Sequence, residues 1–332
     1  MATGFLMIQA RTANDALPLP GVSVKILDAQ NQLLYDLITD ANGQTETVSL
    51  PTVEKNLSLQ PDYEGSPYTA YRAIAQADGF QTLYVSGINI FDGITAVQPA
   101  PLTPMGERQQ TPGRTEIVIG KPAIQQNDPW NQEGPVVEPL ILRQVVIPNP
   151  ITVHLGRPSS AAANVQVSFP DYVKNVASSE IYPTWPAASL TANIYAIITF
   201  ALNRVFTEWY RSQGYPFDIT NSTSYDQYFV YGRTIYDSIS RIVAQIFNQY
   251  VRREGHNVPY FTSFCNGTTA TCRGLSQWGT VNLAQQGLDP LQILRYYYPD
   301  DVEIATADAV TDVLVSYPGT VLRPGSSGLD VQ

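Results

Sequence analysis

Apolar residues in the first hundred positions recur every second residue. Leu6, Ile8 and Ala10 alternate with other residues, as do Val22, Val24 and Ile26; Leu33, Leu34 and Leu37 follow. Turn signals separate these runs: Leu19-Pro20-Gly21, Asp28-Ala29-Gln30-Asn31 and Asp40-Ala41-Asn42-Gly43. Period-two alternation broken by closely spaced turns predicts short strands packed as an all-β sandwich over residues 1–104. Asp40 and Asn42 resemble calcium ligands, but Asx side chains bonding a turn backbone is the expected role.

The pattern then changes twice. Pro104, Pro112, Pro122, Pro129, Pro135 and Pro139 punctuate residues 105–145, with Gln and Asn between them. Proline removes donors and stiffens the chain, so a semi-extended linker with few contacts between the halves is predicted. Residues 146–315 read as an α+β domain. Two strands carry Ile151, Val153 and Leu155, then Val165, Val167 and Phe169. A short helix over 171–178 buries Tyr172, Val173 and Val176. A long helix starts at Thr184-Trp185-Pro186, with Thr184 as N-cap and Leu190, Ile194, Ile197 and Ile198 on a wide buried face. A third helix runs from Ile235 to Phe247. Ser276–Gln286 is a fourth, closed by Gly287, and Asp289-Pro290 caps a fifth.

At 332 residues the chain is long enough for about two domains. Hydrophobic residues make up 44%, which supports real cores, and no run approaches the ~18 apolar residues of a membrane span. With 19 basic and 29 acidic side chains the net charge is −10, which disfavours nucleic acid or an anionic membrane surface as partner and leaves a glycan open. No secretory leader is visible at the N-terminus.

One carboxylate stands in a suggestive setting. Glu180 falls between two predicted helices, beside Tyr182, Pro183 and Trp185. Apolar, aromatic surroundings desolvate a carboxylate and raise its pKa, as a general acid near neutrality requires. Aromatic faces also suit sugar rings. Read alone, a glutamate there more often serves a helix terminus.

Three blocks in order carry a resemblance. Val176-Ala177-Ser178-Ser179-Glu180 continues to Trp185-Pro186 and Leu190. Asp226-Gln227-Tyr228-Phe229-Val230-Tyr231-Gly232 follows. Gly274-Leu275-Ser276-Gln277-Trp278-Gly279 then leads to Ala284-Gln285-Gln286-Gly287 and Ile293-Leu294-Arg295-Tyr296-Tyr297-Tyr298-Pro299. Together they resemble the stage II sporulation protein D and amidase-enhancer family, and most of all its clostridial-type spore cortex-lytic branch. The resemblance implies a lytic transglycosylase that cleaves N-acetylmuramic acid–N-acetylglucosamine bonds in spore cortex peptidoglycan during germination. It implies Glu180 as the single acid/base, no required cofactor and 1,6-anhydro products. Tyr182, Trp185, Asp226, Gln227, Tyr231, Ser276 and Gln277 are then candidates for holding the glycan; Ser276 as N-cap and Asp226 as turn former are their plainer roles. It further implies action at the spore cortex and coat after synthesis in the mother cell, and leaves an activating protease open as a partner. Thr191 and Ile198 stand where the family carries a lysine and an arginine.

Two further segments are tied to known modules. Pro20-Gly21-Val22 with Thr39-Asp40-Ala41-Asn42-Gly43-Gln44-Thr45 resembles transthyretin-like and carboxypeptidase-regulatory-like domains. Residues 316–332 resemble the start of a truncated peptidoglycan-binding repeat. The remaining cluster is His256, Cys265 and Cys272, for which a structural zinc, a disulfide and free thiols are all open. His154, between Val153 and Leu155, is expected to be structural. Against the enzyme reading stand a glycan-binding module or enhancer that has lost catalysis, and a structural component of a spore coat or phage-like particle.

Overall fold

The computed structural model describes residues 2–13, 16–106, 113–126, 142–268, 272 and 274–307. The truncated repeat expected over 316–332 lies outside them. The predicted alternation forms strands β1 (Ala2–Thr12), β2 (Leu17–Pro18), β3 (Ser23–Leu27), β4 (Leu33–Ile38), β5 (Val48–Thr52), β6 (Thr69–Gln76), β7 (Thr82–Ile90) and β8 (Thr95–Pro101). One sheet runs β4-β3-β6-β7 and gains β9 (Arg114–Val118) parallel to β7. The other centres on β1, which pairs in parallel with β8 and antiparallel with β2 and β5. Leu6, Ile8, Val24, Ile26, Leu50, Ile88 and Ile90 are fully buried, and the inward faces of both sheets join one core. The turn chemistry follows the plainer expectation: Asp40 Oδ1 accepts from the backbone N–H of Asn42 and of Gln44, both at 2.9 Å.

β9 corrects the linker. Pro112 and Pro122 bracket a proline-free run, Gly113 to Lys121, whose donors can join a ladder. Residues 114–118 therefore extend a sheet rather than spanning open solvent.

The second half mixes helices with short strands: β10 (Ile151–His154), β11 (Asn164–Val167), α1 (Phe169–Glu180), α2 (Ala187–Phe206), β12 (Ile219–Thr220), β13 (Ile235–Tyr236), α3 (Asp237–Ile246), β14 (Gln249–Arg253), β15 (Phe264–Cys265), β16 (Leu275–Ser276), α4 (Gln277–Gln285), α5 (Pro290–Tyr297) and β17 (Val302–Thr306). Tyr172, Val173 and Val176 are buried as the spacing predicts. Ser168 caps α1, Ser276 caps α4, and Asp289 with Gln292 closes a capping box on α5. His154 is structural: its ring bonds Asn164 Oδ1 at 2.8 Å and stacks on Phe217. Two expectations fail locally. Thr184 does not cap α2, because its hydroxyl pairs with Ser58 Oγ at 2.6 Å; Pro186 takes the N-cap position. Ile235 and Tyr236 are not helical but form β13.

β13 pairs antiparallel with β8, so one strand of the second half completes a sheet of the first. Around it the halves interlock. Gln98 Nε2 donates to Gly232 O at 2.8 Å, and Thr234 Oγ1 donates to Gln98 Oε1 at 2.5 Å. Phe91 of the β half packs on Tyr182 and Tyr236, with ring centroids 5.8 and 5.4 Å apart. The expectation of few contacts between the halves is overturned: large aromatic rings cross the boundary and are buried there.

Candidate active site

Glu180 is the last residue of α1 and is 2% exposed. Two groups from distant segments meet its carboxylate. The backbone N–H of Tyr228 donates to Oε1 at 2.8 Å, and Gln277 Nε2 donates to Oε2 at 3.3 Å. Burial is the dominant influence and pushes the Glu180 carboxyl up to about 7, against the opposing pull of these two donors and of the Arg233 charge. At neutral pH the group is therefore poised between acid and base.

The Tyr228 donor is aimed by a buried network. Asp226 accepts from Arg204 Nε at 2.8 Å, from Tyr210 OH at 2.6 Å, and from the N–H and hydroxyl of Thr220 at 2.9 and 2.7 Å. Gln227 takes a bond from Tyr172 OH at 2.9 Å and gives one to Ile197 O at 3.1 Å. Asn175, on α1, grips Val230 through both its N–H and its carbonyl. These contacts hold the 226–230 backbone against α1, with one peptide N–H facing Glu180.

Gln277 is placed from the other side. Ser189 and Asn193 on α2 bond Thr280 Oγ1 at 2.6 and 2.8 Å, tying α2 to α4. The Ser276 hydroxyl accepts from Gly279 N–H at 3.0 Å and starts α4 with Gln277 as its first residue. Next to it, Gly267 takes φ +82°, and a Cβ there would collide with Ser276 Oγ, so the turn needs glycine.

The sequence candidates thus divide. Glu180 and Gln277 come together. Asp226 and Gln227 are 0% exposed and committed to the scaffold, so their assignment to glycan binding is corrected. Ser276 is a helix cap. Trp185 is 3% exposed, donates from Nε1 to Ser58 O at 2.9 Å and packs on Trp278 at 4.9 Å; it fastens the two halves. Tyr182 is likewise buried, between Phe91, Trp185 and Trp278. Its edge and that of Trp278 reach a groove of about 220 Å³, whose other wall is Gln60, Tyr63, Glu64 and Gln125. Tyr231 is 44% exposed and lines a different cavity.

The metal assignment is corrected as well. Cys265 and Cys272 are joined to each other as a disulfide, which uses up both sulfurs. His256 is exposed beside Arg253 and Val258 in another segment. Among the described residues no group of three His, Cys, Asp or Glu side chains could hold a metal. No helix among them is long and apolar enough to cross a membrane.

Sequence reasoning missed Arg233 and the Tyr228 peptide. Arg233 is 1% exposed, and its Nε and Nη1 donate to Ser178 O and Gly120 O at 3.0 and 3.1 Å. Its place directly after the Asp226–Gly232 block was the available signal. Its burial was not legible, because a lone arginine normally reads as surface.

No family model matches the chain, and no curated protein matches it. Solved structures match about a third of it. The Bacillus anthracis TIE protein is 15% identical over 31% of this chain, which spans 17% of that one, with TM-score 0.22. Klebsiella pneumoniae 5-hydroxyisourate hydrolase is 18% identical over 31% of this chain and 92% of its own, with TM-score 0.21. Sea bream transthyretin is 18% identical over 30% and 88%, with TM-score 0.20. At such scores none of them bears on function.

Proposed function

We propose that the chain is a peptidoglycan lytic transglycosylase of the sporulation protein D type, with a transthyretin-like β half joined to an α+β catalytic half. The observation that carries this reading is Glu180: a buried carboxyl with its pKa raised to about 7, met by one backbone and one amide donor. Protonated Glu180 gives its proton to the glycosidic oxygen, and the bond to C1 of N-acetylmuramic acid breaks. The resulting carboxylate then takes the proton of that sugar's 6-hydroxyl as its oxygen attacks C1. A 1,6-anhydro ring closes, no water is consumed, and Glu180 is protonated again. The Tyr228 and Gln277 donors stabilise the carboxylate between the two steps. The groove edged by Tyr63, Tyr182 and Trp278 offers aromatic edges on which sugar rings would rest. Spore cortex is the substrate this reading favours, acted on at the cortex and coat.

Purified cortex glycan tests it: anhydro-muropeptide release by wild type, lost in Glu180→Gln. Retained release in that variant sinks the assignment. A second reading, a glycan-binding or enhancer module without catalysis, is favoured by one observation. Glu180 is 2% exposed, so substrate reaches it only after neighbouring groups part.

A further inference from the structure

A larger cavity, about 570 Å³, lies where the β half meets α1. Strand alternation builds its floor. β1 and β8 turn Leu6, Ile8, Ala96 and Ala100 into the core. Their parallel register then sets Gln9 beside Pro99 and Arg11 beside Pro101 on the other face. The opposite wall is Lys174 and Asp171 of α1, with Tyr231 and Arg233 from the segment before β13. Three cations thus face one carboxylate, in a chain whose net charge is −10. That carboxylate, Asp171, is already engaged by Ser168 Oγ at 2.7 Å and Lys174 Nζ at 2.9 Å. Arg233 adds an independent sign: it is 1% exposed and its Nη2 has no partner among the described residues. A buried charge left partly unpaired is costly, and an anion held in the adjoining cavity would lower that cost through its field, without touching Nη2 itself. Val97 and Phe229 supply an apolar wall, and the volume suits a ligand larger than a lone ion. Lys174 precedes Glu180 by six residues on α1, about 9 Å along the axis, so the cavity flanks the candidate acid without containing it.

We propose that this cavity binds the carboxylate of an acidic peptide stem carried on a peptidoglycan strand, an inference that rests on the glycan reading above. The cations take the carboxylate, and the apolar wall takes the aliphatic parts of the stem. The test is calorimetric titration of the full chain with four probes: disaccharide-tetrapeptide, free tetrapeptide, peptide-free disaccharide, and tetrapeptide with its carboxylates amidated. Both carboxylate-bearing probes should bind, and a tighter disaccharide-tetrapeptide would identify the glycan-linked stem as the source. The amidated peptide and the bare disaccharide should bind at least about tenfold more weakly, as should the tetrapeptide to an Arg11→Gln/Lys174→Gln double variant with an unchanged circular dichroism spectrum. Equal binding of amidated and free peptide, or of the tetrapeptide to the double variant, would overturn the proposal. So would inorganic phosphate competing as well as the peptide, or a disaccharide binding as tightly as its peptide-bearing form. Peptide binding without glycan cleavage would count against the enzyme reading alone. Cleavage without peptide binding would count against the cavity alone.

Discussion

At the scale of single residues, chemistry and stability oppose each other at Glu180. Its folded pKa of about 7 lies above the ordinary 4.5. Below pH 4.5 both the folded and unfolded chain hold the proton, and the group costs nothing. Between 4.5 and 7 the unfolded chain releases it first, so stability falls as pH rises and levels off about 3 kcal/mol lower. Glu180→Gln has no charge to bury. Its melting temperature should exceed that of wild type at pH 8, and the gap should close by pH 4; thermal melts at both values check this. On the transglycosylase reading, wild-type activity should fall in the same direction, since the acid form would carry the reaction and declines through pH 7. Gln277→Ala removes a donor to the carboxylate, so the Glu180 pKa should rise further. The alkaline limb of the pH–rate profile should then shift to higher pH. An unmoved limb would show that the 3.3 Å contact contributes nothing to the charged form.

At the scale of elements, the site depends on short pieces held by specific ties. β15 and β16 are two residues each, too short to persist alone, yet they lead into the Gln277 turn. The Cys265–Cys272 bond closes the loop between them. Cys272→Ser should cost about 2–3 kcal/mol, the loop-closure contribution expected for so short a loop, and weaken activity without unfolding the chain. A denaturant series with a parallel glycan assay reads both effects. The Asp226–Gly232 block shows the same logic. Its acid and amide stand out in the sequence because they are polar, but they serve the backbone: Asp226 satisfies four donors so that Tyr228 N–H can serve Glu180. Polarity in a sequence marks a residue with a hydrogen-bonding task; it does not say whether the partner is substrate or scaffold.

At the scale of the whole molecule, the two halves behave as one body. A fragment starting near Val145 would expose Tyr182, Trp185 and Tyr236 and leave β13 without β8. It should be insoluble or molten unless residues 1–104 are supplied; a cooperative melt of the fragment alone would refute this. Alternation and capping residues were enough to determine the β half and the helices α1, α4 and α5, and an aromatic setting was enough to single out the carboxylate now proposed as the acid. Each is local information: strand and helix periods, a cap three residues from its donor, a glutamate beside aromatic residues. Local patterns carry no signal for a partner 48 or 97 positions away, the separations at which Tyr228 and Gln277 find Glu180. Nor do they tell an aromatic ring that binds sugar from one that fills an interface, because Trp185 and Tyr182 have the same composition in either role. Only the tertiary structure decided those matters. Burial and pairing depend on which distant surfaces meet, and here they made β9 a strand, the cysteines a bridge, Arg233 a buried charge, and the sandwich an integral wall of the site.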